Sequence, residues 1–281
     1  MEERENIILK ISTLGLFCLI ISLASALPSQ AALTKKRQLL FYFDKIEVKG
    51  AVDVYVQPGP RNEEAFIYAD SDILDNISLR VREKTLFVEA NNTFDISRRL
   101  PFLKLRAERV FPVEIIIHKE KLSELRLYGN GNLIVSDVRS PRLSVHMTGN
   151  GRFHLENASV DSLSVRQDGS GPIVIKGKES SNLELTVSDN GPVLAQSFPV
   201  KRARILHQGN NNIEIAPITF LDARIFGQGN ILLHQKPSNS VISQRGGGKI
   251  IELLPDSRQL YDLNVTKPVL PIKEGKRPIR E

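Results

Sequence analysis

The thirteen residues LSVHMTGNGRFHL, numbered 143–155, place an alternating apolar segment, a glycine-asparagine turn and a second apolar segment in one short unit. The same order returns in LSVRQDGSGPIVI at 163–175 and in LELTVSDNGPVLA at 183–195. Seven such turns occur between residues 122 and 254, and their middle residues are 20, 20, 20, 20, 18 and 19 positions apart. The turns are Gly129-Asn130-Gly131, Gly149-Asn150-Gly151, Gly169-Ser170-Gly171, Asp189-Asn190-Gly191, Gly209-Asn210-Asn211, Gly227-Gln228-Gly229 and Gly246-Gly247-Gly248. Self-similarity on a fixed period indicates stacked supersecondary units.

Each unit alternates apolar and polar residues with a period of two on both sides of its turn, which predicts one β-strand before the turn and one after it. The apolar residues should therefore stack in columns from unit to unit. After the turn, the predicted column is Leu133, Phe153, Ile173, Val193, Ile213, Ile231 and Ile250. Before the turn, the two predicted columns are Leu143, Leu163, Leu183, Ala203 and Ala223, and Val145, Val165, Leu185, Ile205 and Ile225. The polar residues predicted to face water between them are Ser144, Ser164, Glu184, Arg204 and Arg224.

A unit of about 20 residues fits one rung of a parallel β-helix, since it is too short for a propeller blade and lacks the leucine-rich repeat pattern. In a β-solenoid each rung pairs with its neighbours and buries an apolar column that no single rung could bury. Glycine supplies positive φ in the turns, asparagine tolerates the left-handed region, and stacked asparagine amides can hydrogen-bond along the axis. The turns are therefore interpreted as structural. A binding or catalytic role for the asparagine column is the alternative.

An apolar run at residues 11–26 follows the charged start of the chain and ends in Ala24-Ser25-Ala26. This pattern is typical of a secretory signal peptide. Residues 1–26 are thus predicted to be cleaved, and the protein to be exported to the periplasm, the cell envelope or the medium. A retained membrane tether is the alternative, because the residues before the run lack the usual excess of positive charge. The only cysteine, Cys18, lies in this segment, so the mature chain would have no thiol for a disulfide or a metal site. Residues 27–40 are predicted to be a linker.

Two alternating segments on either side of Gly50 open the next part of the chain and end at Pro58-Gly59. Shorter strand-like pieces follow at 65–69, 77–81, 86–89 and 113–117. We interpret them as irregular first rungs, because the terminal units of a solenoid must cap the exposed end of the core.

Three parts of the sequence together form a recognisable pattern: the opening Phe43-x-x-Ile46-x-Val48-x-Gly50-x-x-Asp53-Val54 with Pro58-Gly59, the stretch from Ile73-Leu74 to Leu86-Phe87-Val88, and the repeated Gly-x-Gly turns. Through this pattern, residues 41–254 resemble the family described as putative auto-transporter adhesin, head GIN domain. The resemblance implies a right-handed parallel β-helix exported to the envelope, and it implies no activity. The sequence departs from the family pattern at residues 93–110, which are longer and more basic than that pattern requires.

The stretch at residues 93–110 carries five basic residues among apolar ones, namely Arg98, Arg99, Lys104, Arg106 and Arg109. It is interpreted either as a solvated loop or as an amphipathic excursion that contacts an anionic lipid, a glycan or a partner. Residues 255–281 mix prolines with basic residues and are predicted to form a flexible tail. The formal net charge of +6 is modest and comes without a nucleic-acid-binding motif, so no nucleic-acid partner is predicted.

Two carboxylates, Asp168 and Asp189, fall near equivalent turn positions one rung apart. An enzyme that cleaves polysaccharides needs clustered acids of this kind. Aspartate is also common in turns, so turn chemistry is the preferred explanation and a catalytic pair is the alternative. No cofactor-binding or nucleophile motif is present, and no cofactor is predicted.

The five histidines fall at different positions within their units, and no metal site is predicted; they are His118, His146, His154, His207 and His234. His207 occupies the column of Met147 and Val187, so it is expected to be partly buried or at the rim of the core.

The leading hypothesis from the sequence is a non-enzymatic, exported β-solenoid that acts as an adhesin-like or envelope-associated binding and structural module. Its outward side chains would form a polar binding strip that includes Ser144, His146, Arg166, Glu184, Arg204 and Arg224. A glycan or an envelope surface is the expected partner. Either capping of the final rung or self-association through it is also expected, because unpaired strands template further pairing. A carbohydrate-active enzyme on the same scaffold, or an anchored scaffold, is the alternative.

Overall fold

The structure is a computed structural model, and it describes residues 33–100 and 103–253. The strands, in chain order, are β1 Leu33–Leu39, β2 Lys45–Lys49, β3 Asp53–Gln57, β4 Glu64–Asp70, β5 Ile77–Arg82, β6 Thr85–Ala90, β7 Thr93–Leu100, β8 Leu103–Val110, β9 Val113–His118, β10 Glu124–Tyr128, β11 Asn132–Ser136, β12 Arg139–Thr148, β13 Arg152–Gln167, β14 Ile173–Gly177, β15 Ser180–Val187, β16 Val193–His207, β17 Ile213–Ile225, β18 Ile231–Leu233, β19 Asn239–Gln244 and β20 Ile250–Glu252. A 3₁₀ helix spans Ser71–Asn76. Within the described ranges, no helix is long and apolar enough to cross a bilayer. The predicted signal segment 1–26, with Cys18, and the predicted tail 255–281 lie outside the described residues.

Eighteen of these strands form one continuous sheet that coils into a β-solenoid of about six turns spaced about 20 residues apart, which confirms the predicted fold class. We call the face built before the turns the front face, and its order is β5, β6, β2, β10, β12, β13, β15, β16, β17, β19. We call the face built after the turns the rear face, and its order is β1, β4, β9, β3, β11, β13, β14, β16, β17, β18, β20. The long strands β13, β16 and β17 contribute to both faces, because each continues around a corner of the coil.

The predicted register is correct on the rear face and correct for most of the front face. Every residue of the predicted rear column, from Leu133 to Ile250, pairs with the next one. The two front columns are correct as far as Ala203 and Ile205. In the following rung the prediction is wrong by two residues, because Ala203 pairs with Leu221 rather than with Ala223.

The shift arises at the corner between the two faces. Residues 196–198 have no counterpart in the next rung, where Ile215 is followed directly by Ala216 in the same pairing. One extra residue farther along restores part of the length, so the rung ends two residues short. Because the shortening precedes the front strand, the cross-strand neighbour of Arg204 is Asp222 and not Arg224.

The glycine turns stack mainly through a ladder of backbone hydrogen bonds. The N–H of the third turn residue donates to the carbonyl oxygen of the first residue in the preceding turn, at 3.0 to 3.3 Å, in the pairs Gly131 to Gly50, Gly151 to Gly129, Gly171 to Gly149, Gly191 to Gly169, Gly229 to Gly209 and Gly248 to Gly227. Side chains add separate steps, as where the N–H of Asn210 donates to Oδ1 of Asn190 at 3.2 Å. Asparagine side chains thus do bond between some neighbouring turns, but along the described turns they form separate contacts and not one continuous ladder.

Close backbone approach explains most of the turn glycines. Among the seven predicted turns, only Gly129 (φ 112°) and Gly149 (φ 105°) have positive φ. At Gly169 and Gly227, an added Cβ would overlap with the carbonyl oxygen of the turn below. Positive φ therefore explains only two of the turn glycines. The other turn glycines are needed because the backbones of stacked turns lie too close together to leave room for a Cβ atom.

Antiparallel strands close the N-terminal end of the solenoid. Strand β5 pairs antiparallel with β6 on the front face, while β4 and β1 continue the rear face in antiparallel pairs. The predicted linker 27–40 is thus wrong over Leu33–Leu39, which is a strand of the sheet. Beneath the Gly50 turn, the buried amide of Asn92 donates to the carbonyl oxygens of Ala51 and Phe111, each at 2.7 Å.

The basic stretch 93–110 is a β-hairpin. Strands β7 and β8 pair antiparallel in a two-stranded sheet of their own, and the register sets Arg99 opposite Lys104. The prediction of a solvated loop is therefore wrong, while contact of this stretch with an anionic lipid, a glycan or a partner stays a prediction. Two short alternating segments that follow each other closely are sufficient for antiparallel pairing, which does not need the 20-residue period.

The last rung ends the core with polar residues. Three positions that are apolar in the preceding rung are polar in the last one: Ser240, Gln244 and Glu252 pair with Leu221, Ile225 and Leu233. All three polar residues are exposed. Terminal units of a solenoid need such a polar outer surface to remain soluble.

Candidate binding face

The predicted binding strip lies on the front face but divides into two columns. The first column contains Ser144, Ser164, Glu184, Arg204 and Asp222 in register. The second column, two residues closer to the turns, contains His146, Arg166, Thr186, Leu206 and Arg224. Arg204 and Arg224 therefore do not stack on each other. Both approach the carboxylate of Asp222, at 3.5 and 3.6 Å.

Charged side chains near the N-terminal end of the front face satisfy one another. Arg126 lies 2.6 Å from Glu124 and 3.4 Å from Glu47. Lys49 lies 2.8 Å from Glu47, and this hydrogen bond raises the pKa of Lys49. The hydrogen bond with Glu124 likewise raises the pKa of Arg126. Both cations stay charged and paired, so this part of the face is a set of internal ion pairs.

A cluster that sequence reasoning did not assemble joins His146, Arg166 and Asp168. Oδ2 of Asp168 lies 2.6 Å from Nε of Arg166 and 3.0 Å from Nε2 of His146. Burial raises the pKa of Asp168, but hydrogen bonds from Arg166, His146 and Ser188 outweigh it and hold that pKa below its usual value. Ser188 and His146 thus both bond to the carboxylate. A catalytic triad requires the hydroxyl to bond to the histidine instead.

Asp168 and Asp189 have different surroundings. Asp189 accepts the N–H of Asn190 at 2.7 Å, within its own turn. Turn chemistry therefore accounts for Asp189 as expected. It does not account for Asp168, whose carboxylate is held by two charged or chargeable side chains of the second column.

The histidines lie apart from one another. His118 lies 3.4 Å from Glu64, and His234 lies 2.8 Å from Glu214. Among the described residues, no group of three or more His, Cys, Asp or Glu side chains could hold a metal ion.

His207 occupies the predicted column, in register with Val187, but it is fully buried rather than at the rim. Burial lowers its pKa, against the smaller opposing effect of the nearby backbone of Asn211 and Gly229, and within the described structure neither ring nitrogen makes a hydrogen bond. Gln167, one rung below Val187, is also fully buried, and its amide donates to the carbonyl oxygen of Gly171 at 2.5 Å. Two polar side chains therefore lie inside an otherwise apolar column.

A shallow groove of about 380 Å³ crosses β13, β15, β16 and β17 on the front face. Its outward lining comes from the first column and from the column two residues farther from the turns, and comprises Ser162, Ser164, Asn182, Glu184, Arg202, Arg204, Phe220 and Asp222. The surface dips on the β13 side because serine side chains there are much shorter than the arginines on β16. Phe220 and Asp222 cannot be placed in these columns from the repeat spacing, because only the shortened rung moves them there.

Several polar groups of the groove are free to bond to a ligand. The side chain of Glu184 is exposed, and within the part of the chain that the structure describes its carboxylate makes no ion pair or hydrogen bond. Its cross-strand neighbour Arg204 turns to Asp222 instead. In the adjacent column, Nε of Arg202 donates to Oδ1 of Asn182 at 3.1 Å. Two arginines and two carboxylates give the groove a formal charge of zero.

The rear face is different in chemistry. Its central outward column is mostly apolar, in the order Tyr55, Ile134, His154, Val174 and Leu194. These side chains are half-buried or buried, and burial lowers the pKa of His154. Unpaired polar groups suited to a small hydrophilic ligand are thus concentrated on the front face.

The family model described as putative auto-transporter adhesin, head GIN domain, matches residues 42–237, which is more than half of the chain. No curated protein matches the sequence.

Solved structures share the fold at low sequence identity. A putative adhesin from Bacteroides fragilis NCTC 9343 is 20% identical and superposes with a TM-score of 0.68, over 80% of this chain and 99% of that chain. A putative lipid binding protein from Parabacteroides distasonis ATCC 8503 is 19% identical, with a TM-score of 0.58 over 80% of this chain and 98% of that chain. A putative adhesin from Parabacteroides merdae ATCC 43184 is 18% identical, with a TM-score of 0.51 over the same shares. At these identities the comparison establishes the fold.

Proposed function

Since the chain belongs to the putative auto-transporter adhesin, head GIN domain family, we propose that it is an exported, non-enzymatic binding module that attaches to a glycan or envelope surface through its front face. The groove across β13, β15, β16 and β17 supports this proposal most directly. It presents unpaired hydrogen-bonding groups on a scaffold that is bonded rung to rung. A rigid surface of this kind binds a ligand with little loss of its own conformational freedom.

Chemistry on the front face favours binding over catalysis. In the described His–Asp contact, Arg166 neutralises the carboxylate of Asp168. The hydroxyl of Thr148 lies 3.4 Å from Nε2 of His146, the same nitrogen that contacts Asp168, whereas a triad places the hydroxyl and the carboxylate on different ring nitrogens. Glu184, in the groove, lies beside the arginine of the next rung rather than beside a second acid. Glycoside hydrolysis by the usual route needs two carboxyl groups that face each other across the substrate.

Export is tested by expressing the full chain in a bacterial host and fractionating the cells. We expect the protein outside the cytoplasm with an N-terminus at residue 27, read by intact-mass measurement. A chain that keeps residues 1–26 and partitions with membranes would favour the tethered form. Full-length protein in the cytoplasm would contradict export.

Surface attachment is tested with the purified mature chain and isolated bacterial envelopes, by co-sedimentation. We expect Arg204→Glu, on the front face, to reduce the bound fraction several-fold, and Leu194→Ser, on the rear face, to leave it unchanged. Release of soluble sugar fragments from the same envelopes would contradict the non-enzymatic part of the proposal. Equal binding by the front-face variant and the parent protein would contradict the assignment of the face.

A further inference from the structure

We propose that the front-face groove takes an uncharged saccharide chain that runs across the strands, parallel to the solenoid axis. This inference depends on the proposed function, because it names the ligand class of the same face. It follows from four properties of the groove: its mixed donors and acceptors, its aromatic side chain, its balanced charge and its direction.

The polar lining matches the chemistry of sugar hydroxyl groups, which donate and accept hydrogen bonds at once. Glu184 is an exposed carboxylate with no partner among the described residues, so it can accept from two neighbouring hydroxyls. Ser162 and Ser164 contribute hydroxyl groups that are also free of intramolecular hydrogen bonds in the described structure. Arg204 retains donors beyond the Nε that faces Asp222.

Phe220 supplies the apolar component of the groove. Its side chain is half-buried and stands in register with Arg202, at the end of the groove where the serines give way to arginines. One face of a pyranose ring consists largely of C–H groups, and an aromatic ring offers a flat apolar surface for such a face. Pockets for small ligands combine a few directed polar groups with surfaces of this type.

The charge of the groove distinguishes an uncharged chain from an acidic one. Arg202 and Arg204 are balanced by Glu184 and Asp222, and the unpaired Glu184 would repel a uronate or a phosphate. A second groove on the same face, of about 350 Å³, has the opposite character. Its charged residues are Lys49, Arg80, Arg82 and Glu89, and its formal charge is +2. An acidic polymer would therefore prefer the second groove.

The direction of the ligand follows from the stacking of the rungs. The groove spans four neighbouring strands, and three inter-strand spacings of about 4.8 Å give it a length of about 14 Å. An extended saccharide advances by a similar step for each sugar residue. Side chains on successive rungs can thus contact successive sugar residues of the chain.

The test uses the full mature chain and isothermal titration with hexasaccharides of glucose, mannose and N-acetylglucosamine, together with a hexamer of galacturonic acid. We expect binding of at least one uncharged hexamer, at least about tenfold weaker in Glu184→Gln, because hydrogen bonds to a charged carboxylate are replaced by weaker ones to a neutral amide. Ser164→Arg, which fills the groove without altering the core, should abolish binding. Arg82→Gln, in the second groove, is the matched control and should leave the affinity unchanged. Thermal melting of each variant verifies that it is folded.

The outcomes separate this inference from the proposed function. No binding of any uncharged hexamer, together with retained envelope binding that Arg204→Glu weakens, would overturn the ligand class and leave the proposed function standing. Preference for the galacturonate hexamer, lost in Arg82→Gln, would also overturn it and would assign the second groove. Loss of both hexamer and envelope binding in the parent protein would overturn both.

Discussion

Nε2 of His207 lies beneath the turn of the next rung, where a Cβ placed on Gly229 would come within 2.5 Å of it. The inward column that ends in His207 therefore reaches the third residue of the following turn, and that residue must be small. Val187 has the shortest side chain of this column, and the turn above it holds Asn211 in place of glycine. The size of the inward residue and the identity of the next turn residue are thus coupled through a packed contact.

The first prediction concerns Gly191→Ala. Its new methyl group would overlap with Nε2 of the buried Gln167 and with the carbonyl oxygen of Gly171. Overpacking a filled interior costs about 1–3 kcal/mol, and we expect a loss near the upper end because the Gln167 hydrogen bond is also disturbed. Urea unfolding followed by circular dichroism measures it. The control is Gly247→Ala, whose methyl group would meet only the exposed side chain of Gln228, and equal losses in both variants would contradict the explanation.

The sequence predicts those parts of the structure that follow the 20-residue repeat. The rear column from Leu133 to Ile250 is predictable throughout, because a strand on a fixed period has one register that buries its apolar set. The register of the front face after Ala203 is not predictable from the sequence. The rung could be shortened before or after its front strand, and the structure shows that the shortening lies before it, at the corner next to Ile215. The hairpin 93–110 and strand Leu33–Leu39 lie outside the period altogether.

The groove is harder to predict than the fold, because it depends on how side chains pair. The sequence places Glu184 and Arg204 outward on adjacent rungs, which suggests an ion pair. In the structure Arg204 turns to Asp222, a residue that enters this column only through the two-residue shift. The carboxylate of Glu184 is unpaired because Arg204 pairs with Asp222. The repeat spacing in the sequence does not predict this.

The second prediction is a pH dependence of stability that comes from His207. An unfolded histidine has a pKa near 6.5, and burial lowers the pKa of His207 in the folded chain. Below about pH 6.5 the unfolded state consequently binds more protons, and the free energy of unfolding falls on acidification by up to about 1.4 kcal/mol per pH unit. His207→Gln removes this dependence and keeps the shape, because Gln167 already occupies the same column.

Unfolding curves in urea between pH 5 and pH 8 provide the measurement. The slope of stability against pH should be smaller in His207→Gln than in the parent protein, and smaller again when His154→Gln is added, because burial lowers the pKa of His154 as well. The pKa of Asp168 is lowered in the folded state. Its contribution to stability is therefore complete at pH values above the usual pKa of an aspartate, and it is lost only as the pH falls below that value. Parallel curves for the parent and His207→Gln would show that the imidazole does not titrate differently on unfolding.

The third prediction concerns Asn92, which joins the hairpin to the first turn. Asn92→Ala removes two hydrogen bonds of 2.7 Å and leaves the carbonyl oxygens of Ala51 and Phe111 without that donor. Each unsatisfied buried group costs about 1–3 kcal/mol, so we expect a loss of about 2–4 kcal/mol, with faster hydrogen exchange in strands β7 and β8. Asn210→Ala, in an exposed turn, is the control and should change stability by less than about 0.5 kcal/mol. A similar effect at both asparagines would argue that the turn column as a whole, rather than this buried amide, holds the end of the solenoid.

The fourth prediction concerns end-to-end association of the solenoid. Among the described strands, none pairs with the outer edges of β19 and β20, and Ser240 and Gln244 stand where the preceding rung has Leu221 and Ile225. Replacing both, as Ser240→Leu with Gln244→Ile, extends the apolar column to an open edge that a second copy can cover. Analytical ultracentrifugation should then detect a concentration-dependent dimer or larger species that is absent, or much weaker, in the parent protein. The control is Ser243→Leu, which adds a similar apolar area at an outward position of the same strand, in register with Arg224. If that control associates as strongly as the double variant, exposed apolar area drives the contact and the polar end of the core does not prevent it.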